Sequence, residues 1–156
     1  MRCHVCLTEE RRTIVAQRRG MRRWGLLNAV LMFNGVYDLC CGLAILLDAD
    51  HPGANLHAMV FLPRYRPAPG SLKQRLLAYW LLTYAGPRLL AGIHGFLRGA
   101  PDATLDLLCA HTYLIEGIAY HAENTRFGTT KTCRAVFVAW LSYTLGMIVA
   151  TRTWLP

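Results

Sequence analysis

Arg88 and Glu116 each lie near the middle of a stretch that is otherwise apolar enough to cross a membrane, and Asp38 lies in a similar place in a third stretch. Ionisable groups at bilayer depth cost roughly 2.5–3.5 kcal/mol each on insertion scales, so they turn into a bundle and take a partner. Counted from the turn at Gly99–Pro101, Arg88 precedes and Glu116 follows by nearly equal lengths of helix. Their depths differ by only about 6 Å at 1.5 Å per residue, within reach of an arginine. Asp38, about fourteen residues past Trp24, falls near the same depth. Arg88 is therefore expected to pair with Glu116, with Asp38 or with both. Asn34, four residues before Asp38, shares its helix face and belongs to the same polar network. Such a cluster can relay protons, line an ion path or serve as a ligand's counter-ion. It can equally be a buried ion pair that sets helix order, and the two carboxylates compensating one arginine favour that structural role.

Two histidines suggest other chemistry. His94 and His111 also match in depth across the same turn, and facing histidines on antiparallel helices can hold a haem. Two such residues alone are a weak signal, so no cofactor is expected. Glu116 with His121 suggests acid–base work, but no nucleophile, metal triad or phosphate loop accompanies them, and an enzyme is not expected. Cys3 and Cys6 with His4 between them resemble half of a zinc site whose second ligand pair is missing.

These groups need elements to position them. Of the 156 residues, 54% are hydrophobic and only 17% charged, against about a quarter charged in a soluble domain. Four apolar stretches, Trp24–Leu47, Leu76–Leu97, Ala103–Tyr120 and Ala135–Thr151, each approach the roughly 20 residues needed to cross about 30 Å of hydrocarbon. Backbone groups in lipid must satisfy one another, so an all-α, four-helix transmembrane bundle is expected over residues 24–156, after a basic interfacial segment at 1–23. Cys40, Cys41 and Cys109 lie within the spans and act there as small apolar residues.

The net charge of +8 is uneven. Arg18, Arg19, Arg22 and Arg23 abut the first span, which places both termini on the cytoplasmic or matrix side. No nucleic-acid-binding motif accompanies the arginines, so anionic lipid headgroups are their expected partners. Trp24 and Trp154 would mark the inner interface, with Tyr79, Trp80, Tyr120 and Trp140 at the outer one. The N-terminus resembles a mitochondrial presequence, yet Glu9, Glu10 and the lack of serine suggest that it is not removed.

The connection from Asp48 to Arg75 is rich in proline, which argues against a continuous helix there. Its stretch Leu56–Leu62 is apolar enough to lie along the membrane or against a neighbour. Pro87 removes the donor for the Thr83 carbonyl and predicts a kink. Gly86, Ala91, Gly92 and Gly95 allow close helix approach, and Pro101 with Asp102 suits a helix start.

At these residues the chain resembles the ergosterol-biosynthesis scaffold family, small membrane proteins that tether the enzymes of sterol C4-demethylation. The matching stretches are Phe33-Asn34 in LMFNGVYD, Trp80 to Arg88 in YWLLTYAGPR, Glu116 in AHTYLIEG, and the link TRFGTT around Arg126–Thr130. The chain departs from the pattern at Thr112, where the family has a histidine four residues before its glutamate, at Leu81 after Trp80, and at the added Pro87. The resemblance spans most of Trp24–Met147 and implies a fold of about four spans with a non-catalytic adaptor role. The expected function is thus a membrane scaffold or accessory subunit whose partners are other membrane subunits and lipids. One setting is a supernumerary subunit of a mitochondrial inner-membrane complex, either respiratory chain or ATP synthase, which the basic N-terminus favours. The alternative is an endoplasmic-reticulum tether of sterol enzymes, and a rival class is a small-ligand or haem binder.

Overall fold

In the computed structural model the chain is described over residues 4–47, 57 and 59–154, and within residues 4–23 only Val15 has a described side chain. Four helices carry it: α1 (His4–Leu46), α2 (Leu72–Arg98), α3 (Ala103–Ala122) and α4 (Thr132–Thr151). No strand occurs among the described residues; one isolated bridge pairs Phe61 with Thr130. Trp24–Leu46 of α1, all of α2 and all of α4 are long and apolar enough to cross a membrane. α3 is as long as α4 but contains Asp106, His111, Glu116 and His121, and falls outside that class.

The helix ends follow their sequence signals. Ser71 caps α2 by accepting from the Gln74 N–H at 3.2 Å. Asp102 caps α3, accepting from the N–H groups of Thr104 at 3.0 Å and Leu105 at 2.9 Å, as the Pro-Asp step predicted. Between them Gly99 adopts a left-handed φ of 66°, which a side chain would resist. A π-helical turn, Glu123–Phe127, closes α3, and Gly128 at φ 60° leads toward α4. Pro87 lies inside α2, which continues through it to Arg98.

α1 and α2 pack antiparallel in one register. A Cβ on Gly35 would lie 2.6 Å from the Leu89 nitrogen, one on Gly42 2.8 Å from Leu82, one on Gly92 2.8 Å from the Asn28 carbonyl, and one on Gly95 2.5 Å from the Asn28 side chain. The backbones approach this closely only because those positions are glycine. Gly86, expected to join this contact, instead has nothing within 4 Å. The same register sets Arg98 level with about Leu26, so α1 from His4 to Gly25 runs on past the end of α2, by about 33 Å at 1.5 Å per residue. Helix α1 is unbroken across Arg23–Trp24, where the interfacial segment was expected to give way to the first span. The cluster Arg18, Arg19, Arg22 and Arg23 lies on this extension, but its side chains fall outside the described residues.

α3 packs on α4, and α2 on α3. Leu31, Ala91, Cys109, Ala110, Tyr113 and Val149 form a core that draws on all four helices. Segment 59–62 docks where α3 turns into α4. The Lys131 N–H donates to the Val60 carbonyl at 2.8 Å, the Leu62 N–H to the Thr129 carbonyl at 2.9 Å, and the Arg134 guanidinium to the Met59 carbonyl at 2.9 Å. Val60 packs with Tyr120, Ala135 and Ala139, so this part of the apolar loop lies against a neighbour.

Candidate functional site

Arg88 is 1% exposed in the middle of α2. Its Nη1 donates to Asp38 Oδ2 on α1 at 2.7 Å, its Nη2 to Glu116 Oε2 on α3 at 2.7 Å, and its Nε to Thr112 Oγ1 on α3 at 3.1 Å. Ser142 on α4 donates to the same Glu116 oxygen at 3.2 Å. One guanidinium thus ties α2 to α1 and α3, and Glu116 extends the tie to α4. The expectation of Glu116, Asp38 or both resolves to both. The guanidinium carbon also lies 3.9 Å from the centre of the Tyr113 ring and 4.9 Å from that of Tyr84, and such faces stabilise a desolvated cation. Asn34 does not touch Arg88. Its Nδ2 donates to the Tyr113 hydroxyl at 2.8 Å and so holds the ring that covers the guanidinium.

The node is not charge-balanced. One guanidinium faces two carboxyl groups, so the set is neutral only when one carboxyl keeps a proton or when another cation joins it. Glu116 Oε2 takes both hydrogen bonds that this side chain makes among the described residues, one from Arg88 and one from Ser142.

Next to the node lies a cavity of about 220 Å³, walled by Asn34, Tyr37 and Asp38 from α1, Arg88 from α2, Tyr113, Glu116 and Tyr120 from α3, and Val138, Leu141, Ser142 and Leu145 from α4. His57 from the α1–α2 connection and Val60 complete the wall. The His57 ring packs on Tyr37 with centroids 5.5 Å apart, and its Nε2 is buried without a hydrogen-bond partner. Burial holds His57 below the usual histidine range, against the pull of the Glu116 charge, and so favours the neutral ring. Tyr120, read as an interfacial residue, is instead 3% exposed and packs beside Trp80 and Phe61. Tyr79, Trp140 and Trp154 are exposed.

A second buried arginine was not anticipated. Arg152, just beyond α4, donates through Nε to Asp106 Oδ2 at 2.6 Å and through Nη2 to Asp106 Oδ1, and its Nη1 donates to Asn28 Oδ1 at 2.7 Å. Its Nη2 also reaches the Ala91 carbonyl at 3.4 Å. This two-point arginine–carboxylate pair is balanced in charge and joins all four helices at the end where α1 enters the bundle. In the sequence Asp106 lies at the start of the third apolar stretch and Arg152 just past the fourth. Only the matching of their depths could have linked them.

The histidines do not gather. His94 is half-buried with Nδ1 unpartnered, His111 is exposed, and neither lines the cavity. No group of three or more His, Cys, Asp or Glu side chains able to hold a metal occurs among the described residues. Cys3 and the side chains of His4 and Cys6 fall outside those residues. Cys40 and Cys133 are exposed thiols, whereas Cys41 and Cys109 are buried among apolar neighbours.

The molecule is thus an all-helical protein with three helices able to span a membrane and buried arginine nodes at two levels. No protein-family model, curated protein or solved structure matches the chain.

Proposed function

We propose that the chain is an integral membrane four-helix bundle, with α3 as its fourth span and both termini on the cytoplasmic or matrix side. In this reading it acts as a non-catalytic scaffold or accessory subunit within a larger membrane complex. The observation that carries it is the pair of nodes. Arg88 and Arg152 bind carboxylates on neighbouring helices and lock the helix order, which suits a body that presents fixed outer faces to partners. Those faces support the same reading, because large apolar side chains such as Leu26, Phe33, Leu47, Phe137 and Trp140 point outward, each more than 60% exposed. α3 spans despite its polar residues because Asp106 and Glu116 are neutralised inside the bundle.

The setting we favour is a supernumerary subunit of a mitochondrial inner-membrane complex, respiratory chain or ATP synthase, built on a fold similar to the sterol-scaffold family. Its basic helical extension would lie against anionic headgroups or a partner. The test is affinity purification in mild detergent followed by mass spectrometry. Respiratory-chain or ATP synthase subunits in fixed stoichiometry are expected. Sterol oxidases and dehydrogenases in their place would move the protein to the endoplasmic reticulum, and a chain recovered alone would end the scaffold reading.

A further inference from the structure

The helices α1 and α4 make no close backbone approach among the described residues, while α1–α2, α2–α3 and α3–α4 all do. At the level of Arg88 the 220 Å³ cavity lies between α1 and α4, closed among the described residues by His57 and Val60 of the α1–α2 connection. At the other level the gap is bridged, since Arg152 beyond α4 bonds Asn28 of α1. The inner wall of the cavity is polar, with two carboxyl groups set against one guanidinium. The outer wall on α4 is apolar, formed by Val138, Leu141 and Leu145, with Leu141 39% exposed at the mouth. The volume is far larger than one water requires and smaller than a drug-sized cleft. It suits a compact head group and the first carbons of a tail that continues between α1 and α4.

We propose that this cavity binds a lipophilic amine, its ammonium head beside Glu116 and Asp38 and its tail leaving past Leu141. The head donates to Glu116 Oε1, the carboxylate oxygen that takes no hydrogen bond among the described residues. It brings the positive charge that makes the node neutral with both carboxyl groups ionised. Tyr37 and Tyr120 offer aromatic surface for the cation. The Arg88 guanidinium also lines the cavity, but its charge is held by Asp38 and Glu116 and covered by Tyr113, and the neutral His57 ring adds no further positive charge. A lipophilic alcohol could bond Glu116 but would leave the charge uncorrected, so the site discriminates by charge. The tail path rests on the membrane setting proposed above, but not on the scaffold role.

The test uses the full chain in phosphatidylcholine nanodiscs, with dodecylamine as probe, dodecanol as its uncharged match, and native mass spectrometry as readout. One dodecylamine per chain is expected, with dodecanol bound at least tenfold more weakly. Leu141→Trp fills the mouth without touching the ion pairs and should weaken the amine at least tenfold while leaving thermal stability unchanged. Glu116→Gln should also weaken the amine at least tenfold, with a loss of thermal stability because the amide no longer pairs with Arg88. Loss of dodecylamine when phosphatidylethanolamine is added to the discs would support the site and assign its natural ligand to an ammonium-bearing lipid. Equal retention of dodecanol and dodecylamine, or full amine binding by Leu141→Trp, would overturn the proposal. A chain that fails to enter the discs would overturn the membrane reading, and the amine site with it.

Discussion

At the scale of single residues, the energetic question is what happens when Arg88 loses its charge. Asp38 and Glu116 would remain buried with no cation. Breaking a buried pair by removing one partner typically costs about 3–5 kcal/mol, because the remaining charge must lose its compensation or take a proton. Arg88→Leu is therefore expected to lower unfolding stability in detergent by about that amount. The triple variant Arg88→Leu, Asp38→Leu, Glu116→Leu removes every charge of the node and should recover most of it. Thermal or denaturant unfolding of the three proteins decides the matter, and an Arg88→Leu protein as stable as the parent would end the claim that the node organises the bundle. The participants in this node were legible from depth alone, because helical rise converts sequence distance into height. Asn34 was placed correctly on its face but acts through Tyr113, a partner that height does not specify.

At the scale of helices, small residues set the geometry. Gly35 and Gly42 on α1 and Gly92 and Gly95 on α2 allow the two backbones to touch, and this contact fixes the register that brings Asp38 level with Arg88. A leucine at Gly92 would drive into the Asn28 carbonyl and the Met32 backbone. The helices would separate or slide, at a cost of about 1–3 kcal/mol for overpacking and more if the Arg88 bonds open. Gly86→Leu serves as the control, since nothing lies within 4 Å of that position. Comparison of melting temperatures should show a clear loss for Gly92→Leu and little change for Gly86→Leu; equal effects would refute the register argument. The glycines of α2 advertised close packing through their spacing, yet spacing did not distinguish Gly86 on the open face from Gly92 at the contact.

For the whole molecule, α1 extends beyond α2 on the side where α4 ends, so both chain ends leave the bundle at the same level. In the membrane bundle proposed above, the arginine cluster on the α1 extension would assign that side to the cytoplasm or matrix. Tags placed at the two termini should therefore be protected, or digested, together when oriented vesicles are treated with protease. A split result would leave α3 outside the membrane and reduce the bundle to three spans. This is also where the polar character of α3 matters: as the proposed fourth span it would cross only with Asp106 and Glu116 paired.

The sequence alone determined the helical class, the positions of the main apolar helices and the two candidate carboxylate partners of Arg88, because hydrophobic length, capping residues and helical rise are local or linear properties. Arg152 with Asp106 and Asn28, the burial of Tyr120, the docking of 59–62 against 129–131 and the cavity between α1 and α4 were decided only by the tertiary structure. Each depends on which helix faces turn toward one another across long stretches of chain. That choice follows from packing contacts whose partners no spacing along the chain encodes.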